Sequence, residues 1–304
     1  MAPTASPLTI GMIGYGEVGK IFAAGLRGQP GVADVQVWDL RLAPGHAARE
    51  AEAADARAAS LQPVDSAAAL AQADLVISAV TASHTFEVAE EAARFLRAGA
   101  LFLDLNSASP GTKQAAAAAV DARGAHYVEA GVMTSVPPYG IRVPMLLGGA
   151  QAAALAERLR GWGMDATAVA ERIGVASAIK MCRSIMIKGL EALVIESYST
   201  ARHYGVEDQV LPTLAETFPS IDWQKQGAYF FSRVVQHGKR RAEEMRESAR
   251  TVQEAGFAPL MAAAIADKQE GVAKLAREGV FAGIAKDAAW QEFADRLVNH
   301  VATK

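Results

Sequence analysis

The chain predicts an α/β protein: a Rossmann-like doubly wound parallel sheet at the N-terminus, followed by an all-α C-terminal domain that a long interdomain helix begins. Three observations carry this. A glycine-rich turn, Gly14-Tyr15-Gly16-Glu17-Val18-Gly19, stands between a short apolar run and a helical pattern. Short apolar runs then alternate with helical patterns as far as Ala170. From Gly174 onward every pattern is helical, and the first is a proline-free stretch that reaches Gly205. Strand–helix alternation implies crossovers, which make neighbouring strands parallel and cover both faces of the sheet with helices. The expected domains are residues 1–170 and 171–304.

The elements follow in order. Leu8 to Ile13 reads as a strand, and the glycine turn opens a helix from Glu17 to Leu26. Val35 to Asp39 reads as the next strand, ending in an acid about 20 residues after Gly19. A glycine fingerprint alone is weak. Between a strand and a helix, with an acid at that distance, it is specific. Gly14 permits the tight turn, Gly16 lets backbone approach a pyrophosphate, and Gly19 lets helix and strand pack closely. With Tyr15, Glu17 and Val18 they make a turn whose helix N-terminus offers amides and a positive dipole end to phosphates. Asp39 is placed to accept hydrogen bonds from the adenosine ribose, which favours NAD over NADP; Arg41, two residues on, is the residue that would accommodate a 2′-phosphate instead.

The alternation continues with a helix from Ala47 to Ser60, a short helix from Asp65 to Ala71, and a buried strand from Leu75 to Val80. Thr85 to Phe95 is helical and Ala100 to Asp104 a strand. Ser109 caps a helix with Pro110 in its first turn, reaching about Arg123. Ala125 to Val132, Pro144 to Leu147 and Asp165 to Val169 are strands, with a helix from Ala152 to Gly161. Ligands of such sheets bind beyond the carboxyl ends of the strands. Val80, Thr81 and Asn106 are expected there against the cofactor, and Asn106, Ser107, Thr134 and Ser135 against the substrate.

The stretch from Gly174 to Gly205 predicts a helix roughly 45 Å long. Ala178, Ile179, Met181, Cys182, Ile185, Met186, Ile187, Leu190, Leu193 and Val194 cover most of its circumference, so it is expected to be buried. One narrow polar stripe remains: Ser177, Lys180, Ser184, Lys188, Glu191 and Tyr198. Charged groups on a buried helix need partners or a wet cleft. The stripe is therefore read as lining a polar cavity, with a surface Lys188–Glu191 pair as the alternative.

Beyond it, Val206 to Glu216 is a helix in which Pro212 marks a kink or break. Phe218 to Tyr229 is loop and helix, Phe230 to Ala255 a charged amphipathic helix, Pro259 opens another, and Asp287 to Val301 closes the chain. His237, Arg241 and Glu244 share a face. They are either a solvated charged face or a contribution to an anionic substrate site.

Composition excludes several classes. At 304 residues the chain has room for two domains. With 51% hydrophobic and 21% charged residues it forms cores. A net charge of −3 gives no basic surface for nucleic acid or anionic membrane. The start, MAPTASPLTIGM, lacks the charged and apolar regions of a signal peptide. No apolar run approaches the roughly 20 residues of a membrane span. Cys182 is the single cysteine, so no intrachain disulfide forms and a cytoplasmic setting is expected. Cys182 lies on the apolar side of the long helix and is read as a buried packing residue. No metal is called for.

These residues resemble the β-hydroxyacid dehydrogenases, which include 6-phosphogluconate and 3-hydroxyisobutyrate dehydrogenases. The likeness runs over nearly the whole chain. It rests on Gly11-Met12-Ile13-Gly14-Tyr15-Gly16-Glu17-Val18-Gly19, on Asp104-Leu105-Asn106-Ser107-Ala108-Ser109-Pro110, on Glu129-Ala130-Gly131-Val132, and on Gly174-Val175-Ala176-Ser177-Ala178-Ile179-Lys180. The resemblance implies that Lys180 is the acid–base lysine and that Asn106 meets substrate. Two departures stand out. Met133-Thr134-Ser135 replaces the usual Ser-Gly-Gly, and Ser184 stands where the family has Asn four residues past the lysine. Lys188 is an extra cation.

The implied activity is hydride transfer between a nicotinamide cofactor and a small 3-hydroxy acid or related polyol acid. Lys180, Ser184 and Lys188 are its catalytic group, and Lys180, Ser184, Lys188, His237 and Arg241 join the substrate residues. A homodimer is expected. An imine reductase-like enzyme is the alternative within the class, and a non-catalytic cofactor-binding sensor the alternative outside it.

Overall fold

The computed structural model describes residues 7–302. Residues 1–6, half of the segment read for a leader, lie outside that range, as do 303 and 304. The chain forms two compact units, Met1–Met181 and Cys182–Lys304.

The first unit is built on one eight-stranded sheet. Its strands are β1 Leu8–Ile13, β2 Val32–Trp38, β3 Gln62–Pro63, β4 Leu75–Ser78, β5 Leu101–Asp104, β6 His126–Val132, β7 Met145–Gly148 and β8 Ala166–Ala170. They lie in the order β3-β2-β1-β4-β5-β6-β7-β8. The helices are α1 Glu17–Leu26, α2 Arg49–Ala58, α3 Thr85–Ala93, α4 Pro110–Asp121 and α5 Ala152–Gly161, followed by the first turns of α6, Val175–Tyr204. Ile13 pairs with Trp38 on one side and Ser78 on the other, so the loops after β1, β2 and β4 leave the sheet at one level. Ile10, Met12, Val37, Val76, Phe102, Leu103 and Val128 form the buried centre.

Two expectations need correction. The sheet is not wholly parallel: β7 runs antiparallel to β6. The connection from Val132 to Met145 contains only a single 3-10 turn, Gly140–Arg142. Without a crossover helix the chain reverses direction, and the next strand pairs antiparallel. Then α5 crosses over and makes β8 parallel to β7. The short helix expected at 65–71 is likewise a 3-10 turn, Ala67–Leu70.

The second unit is helical. It contains most of α6, then α7 Glu207–Thr217, α8 Trp223–Glu254, α9 Leu260–Arg277 and α10 Trp290–Ala302. Pro212 lies inside α7, which continues through it. Asp222 caps α8 by accepting a hydrogen bond from the Lys225 amide at 3.0 Å. α8 and α9 cross closely because Gly238 has no side chain: a Cβ there would sit 2.7 Å from the Gln269 carbonyl oxygen. Trp290, Tyr198, Phe230, Phe231 and Phe293 make the core, with the Tyr198 and Trp290 rings 4.8 Å apart.

α6 keeps its polar stripe inward, as read, but only part of its apolar surface is covered. Within the polar stripe Ser177, Ser184, Lys188, Glu191 and Tyr198 are buried and Lys180 is half-buried. Part of the apolar surface points outward instead, with Met186 74% and Leu193 56% exposed, and Ile179 and Ile187 exposed as well. Cys182 lies on that outward side and is exposed, not a buried packing residue. Partners for the buried charges, given below, make this orientation stable. Among the described residues no helix is long and apolar enough to cross a membrane.

Candidate active site

The loops at the carboxyl ends of β1, β2, β4, β5 and β6 converge in the first unit. Gly14 has a φ of +94°, and a Cβ there would lie 2.4 Å from the Ala79 carbonyl oxygen. Only glycine fits this tight turn. A Cβ on Gly19 would lie 1.9 Å from the Gly14 oxygen, so α1 could not approach the turn with any side chain there. At Gly16 nothing lies within 4 Å of an added Cβ. Gly16 also begins α1 without a side-chain cap. The space beside Gly16, where α1 begins, is thus open, which is what the approach of a pyrophosphate needs.

Asp39 follows β2. Its Oδ2 accepts the Tyr15 amide at 2.8 Å, and its Oδ1 accepts the Arg41 amide and the Arg41 Nε, both at 3.0 Å. Burial alone would raise the Asp39 pKa. The hydrogen bonds from the Arg41 side chain, the Arg41 amide and the Tyr15 amide outweigh it and hold the carboxyl below its ordinary value. Asp39 is therefore a carboxylate fixed in orientation at the end of the second strand.

Val80 packs beside Gly14. Its amide donates to the Asn106 Oδ1 at 2.7 Å, and the Asn106 Nδ2 donates to the Ser78 hydroxyl at 2.9 Å. Asn106 thereby ties the loop after β4 to the loop after β5. Thr81 is exposed beside it, its hydroxyl 2.7 Å from the His84 Nδ1. Beneath Asn106 lies a group that sequence reasoning missed. Asp104 accepts the Asn106 amide at 2.8 Å and forms a fully buried ion pair with Lys113 at 3.0 Å. Tyr127 donates its hydroxyl to the same carboxylate. Burial, then the Asp104 charge, pushes the Tyr127 pKa well up, which keeps it a phenol donor. A lysine in an alanine-rich helix and an acid ending an apolar strand were the available signals, but only the fold shows that they meet.

Glu129 was missed as well. It lies fully buried in β6. Its Oε1 accepts the Gly174 and Ala176 amides at 2.7 and 3.0 Å, and its Oε2 the Ser177 amide at 3.3 Å. It caps α6 from the neighbouring strand, with its negative charge at the positive end of the helix. Gly131 permits the contact: a Cβ there would lie 3.0 Å from the Ala176 oxygen and 3.5 Å from the Lys180 Cβ. One turn into the helix so anchored, the Lys180 Nζ donates to the Ser107 Oγ at 2.5 Å. Thr134 and Ser135 follow the end of β6, Thr134 exposed and Ser135 half-buried.

The remaining predicted residues lie in the second unit. Lys188 donates to the Ser184 hydroxyl at 3.2 Å and pairs with Glu244 at 2.9 Å. Arg241 is buried and pairs with Glu191, to which Gln269 also donates, at 3.3 Å. Two cations and two carboxylates balance inside the helical unit, and a surface Lys188–Glu191 pair is not what forms. His237 is half-buried on the same helix, α8. Among the described residues no group of three or more His, Cys, Asp or Glu is placed to hold a metal ion.

An open helix N-terminus behind a strained glycine turn, with an oriented acid at the next strand, defines an NAD(P)-binding domain on a doubly wound sheet. Residues 9–156 match the NAD binding domain of 6-phosphogluconate dehydrogenase, and residues 201–272 match a Domain of unknown function (DUF1932). A conserved hypothetical protein from Sinorhizobium meliloti 1021 is 38% identical, over 97% of this chain and 97% of that one, with a TM-score of 0.78. The conserved protein MTH1747, whose structure was described as similar to 3-hydroxyacid dehydrogenases, is 29% identical over 89% of this chain and 98% of its own, with a TM-score of 0.68. Likeness of fold alone extends to the Mycobacterium tuberculosis 3-hydroxyisobutyrate dehydrogenase, solved with L-serine, at 18% identity, 95% and 99% coverage and a TM-score of 0.69.

Proposed function

We propose that the protein is a cytoplasmic nicotinamide-dependent oxidoreductase acting on the CH–OH group of a small 3-hydroxy acid or related polyol acid, with Lys180 as its acid–base group. The observation that carries this reading is the Lys180 Nζ held 2.5 Å from the Ser107 Oγ, on the loop that follows Asn106. The bound nicotinamide supplies the hydride acceptor or donor. Lys180, in its neutral form, accepts the substrate hydroxyl proton at Nζ during oxidation and returns it during reduction. Ser107 orients that nitrogen. Ser107, Thr134 and Ser135 offer hydroxyls to the substrate carboxylate, and Asn106 keeps one amide hydrogen and one lone pair beyond its two internal bonds. Asp39, charged and fixed beside the ribose position, disfavours a 2′-phosphate and so favours NAD. An ammonium aimed at a serine hydroxyl suits proton exchange with a hydroxyl or carbonyl better than imine reduction, and a sensor needs no such group.

The test pairs a turnover screen with one variant. Lys180→Ala is expected to lose about 10² to 10⁴ in kcat toward the active hydroxy acid. Its dinucleotide affinity should change less than about threefold, since the glycine turn is intact. Turnover of cyclic imines but of no hydroxy acid would sink the reading in favour of an imine reductase. Dinucleotide binding with no turnover of either class would favour the sensor.

A further inference from the structure

Arg41, the one residue read as able to take a 2′-phosphate, has each of its three guanidinium nitrogens hydrogen-bonded within the protein. Its Nε donates to Asp39 at 3.0 Å, one terminal nitrogen to the Tyr15 carbonyl at 2.8 Å, and the other to the Glu52 Oε1 at 2.5 Å. Glu52 lies on α2, outside both the glycine turn and the second strand. Its other oxygen lies 3.2 Å from the Lys20 Nζ, which is 2.9 Å from Asp55. The Glu52 side chain is only 14% exposed, so it is committed to this bridge. Two cations thus face three carboxylates, Asp39, Glu52 and Asp55, and the cluster is net negative.

We propose that Glu52 determines the choice between NAD and NADP, by holding Arg41 and Lys20 so that neither is available to a 2′-phosphate. This rests on the dinucleotide reading of the first unit. A phosphate monoester brings about 1.5 to 2 negative charges. Binding it beside Asp39 requires a guanidinium with free donors, since arginine recognises phosphate through paired hydrogen bonds. Here the terminal nitrogen that would serve is turned to Glu52. Removing the Glu52 charge leaves two cations against two acids and frees a donor on Arg41 and another on Lys20.

Dissociation constants for NADH and NADPH, measured by quenching of protein fluorescence, test this on the full chain. Glu52→Gln is expected to tighten NADPH by about tenfold or more, the range for a hydrogen bond to a charged group, while NADH changes less than about threefold. The gain should vanish in Glu52→Gln/Arg41→Ala. Glu52→Ala, which keeps a strong helix former within α2, should behave as Glu52→Gln and serves if that variant fails to fold. Unchanged NADPH affinity in both single variants, with NADH still bound, overturns the role of Glu52 and leaves the dinucleotide reading standing. A gain that survives loss of Arg41 overturns the mechanism. A wild-type chain that binds neither dinucleotide overturns both.

Discussion

Asp39 receives hydrogen bonds from two backbone amides and a guanidinium, and all three favour its charged form. Its pKa is depressed in the folded chain. The sign follows: the stabilisation is fully present above the ordinary aspartate value of about 3.9 and is lost as pH falls through the lower folded value. Asp39→Asn keeps the shape but cannot carry the charge, and it presents an amide where an acceptor is needed. We expect it to lower stability at neutral pH by about 1–3 kcal/mol. The difference from wild type should begin to shrink only as pH falls below about 4. Urea titrations across that range check it, and a difference that stays constant would show that the charge of Asp39 does not matter to the fold. At this scale the tight turn at Gly14 and the position of Asp39 after the second strand were legible, because each stands next to a local pattern. Asp104, Lys113 and Glu129 were not, since their pairing with one another's elements, with Tyr127 and with the Gly174 amide forms only once strand and helix pack.

The long helix was legible as an element. Its proline-free run and the left-handed stop at Gly205 (φ +66°) are local features. Which partners meet its faces was not. Periodicity shows that a helix has two kinds of face, while the partners decide which one turns inward. Glu244 and Arg241 pair with Lys188 and Glu191, so the buried charges of the polar stripe have counter-charges. The start of the helix depends on Glu129 in the same way. Glu129→Ala leaves three amides of the first turn without their acceptor, in a site with no exposure. We expect a loss of about 1–3 kcal/mol or more in chemical denaturation. Glu129→Gln should recover part of it, because an amide oxygen still accepts but lacks the charge that suits the helix end. A variant Glu129→Ala as stable as wild type would mean that α6 is held by packing alone.

At the scale of the whole molecule, the outward side of α6 carries Met186, Ile187 and Leu193 in the open. Beside it, Leu193, Tyr204, Val206 and Val210 line a groove of about 410 Å³. Adjoining apolar side chains left open on one element are what an association site presents. We propose that a second copy covers it, as a twofold-symmetric dimer. Light scattering at micromolar concentration should report a dimer, and the paired change Met186→Glu and Leu193→Glu should give a monomer of unaltered helix content. A wild-type monomer would rule the interface out.

The sequence by itself determined the order and type of nearly every element, the glycine turn and the acid after the second strand. These are set by short-range physics: side-chain period, backbone freedom at glycine, and capping next door. Tertiary structure alone decided the reversed direction of β7, the buried Asp104–Lys113–Tyr127 support under Asn106, the Glu129 cap, the charge partners of the polar stripe and the capture of Arg41 by Glu52. Each of these depends on which charges and backbone groups meet after the chain has closed, and pairing between distant residues leaves no periodic trace in a single chain.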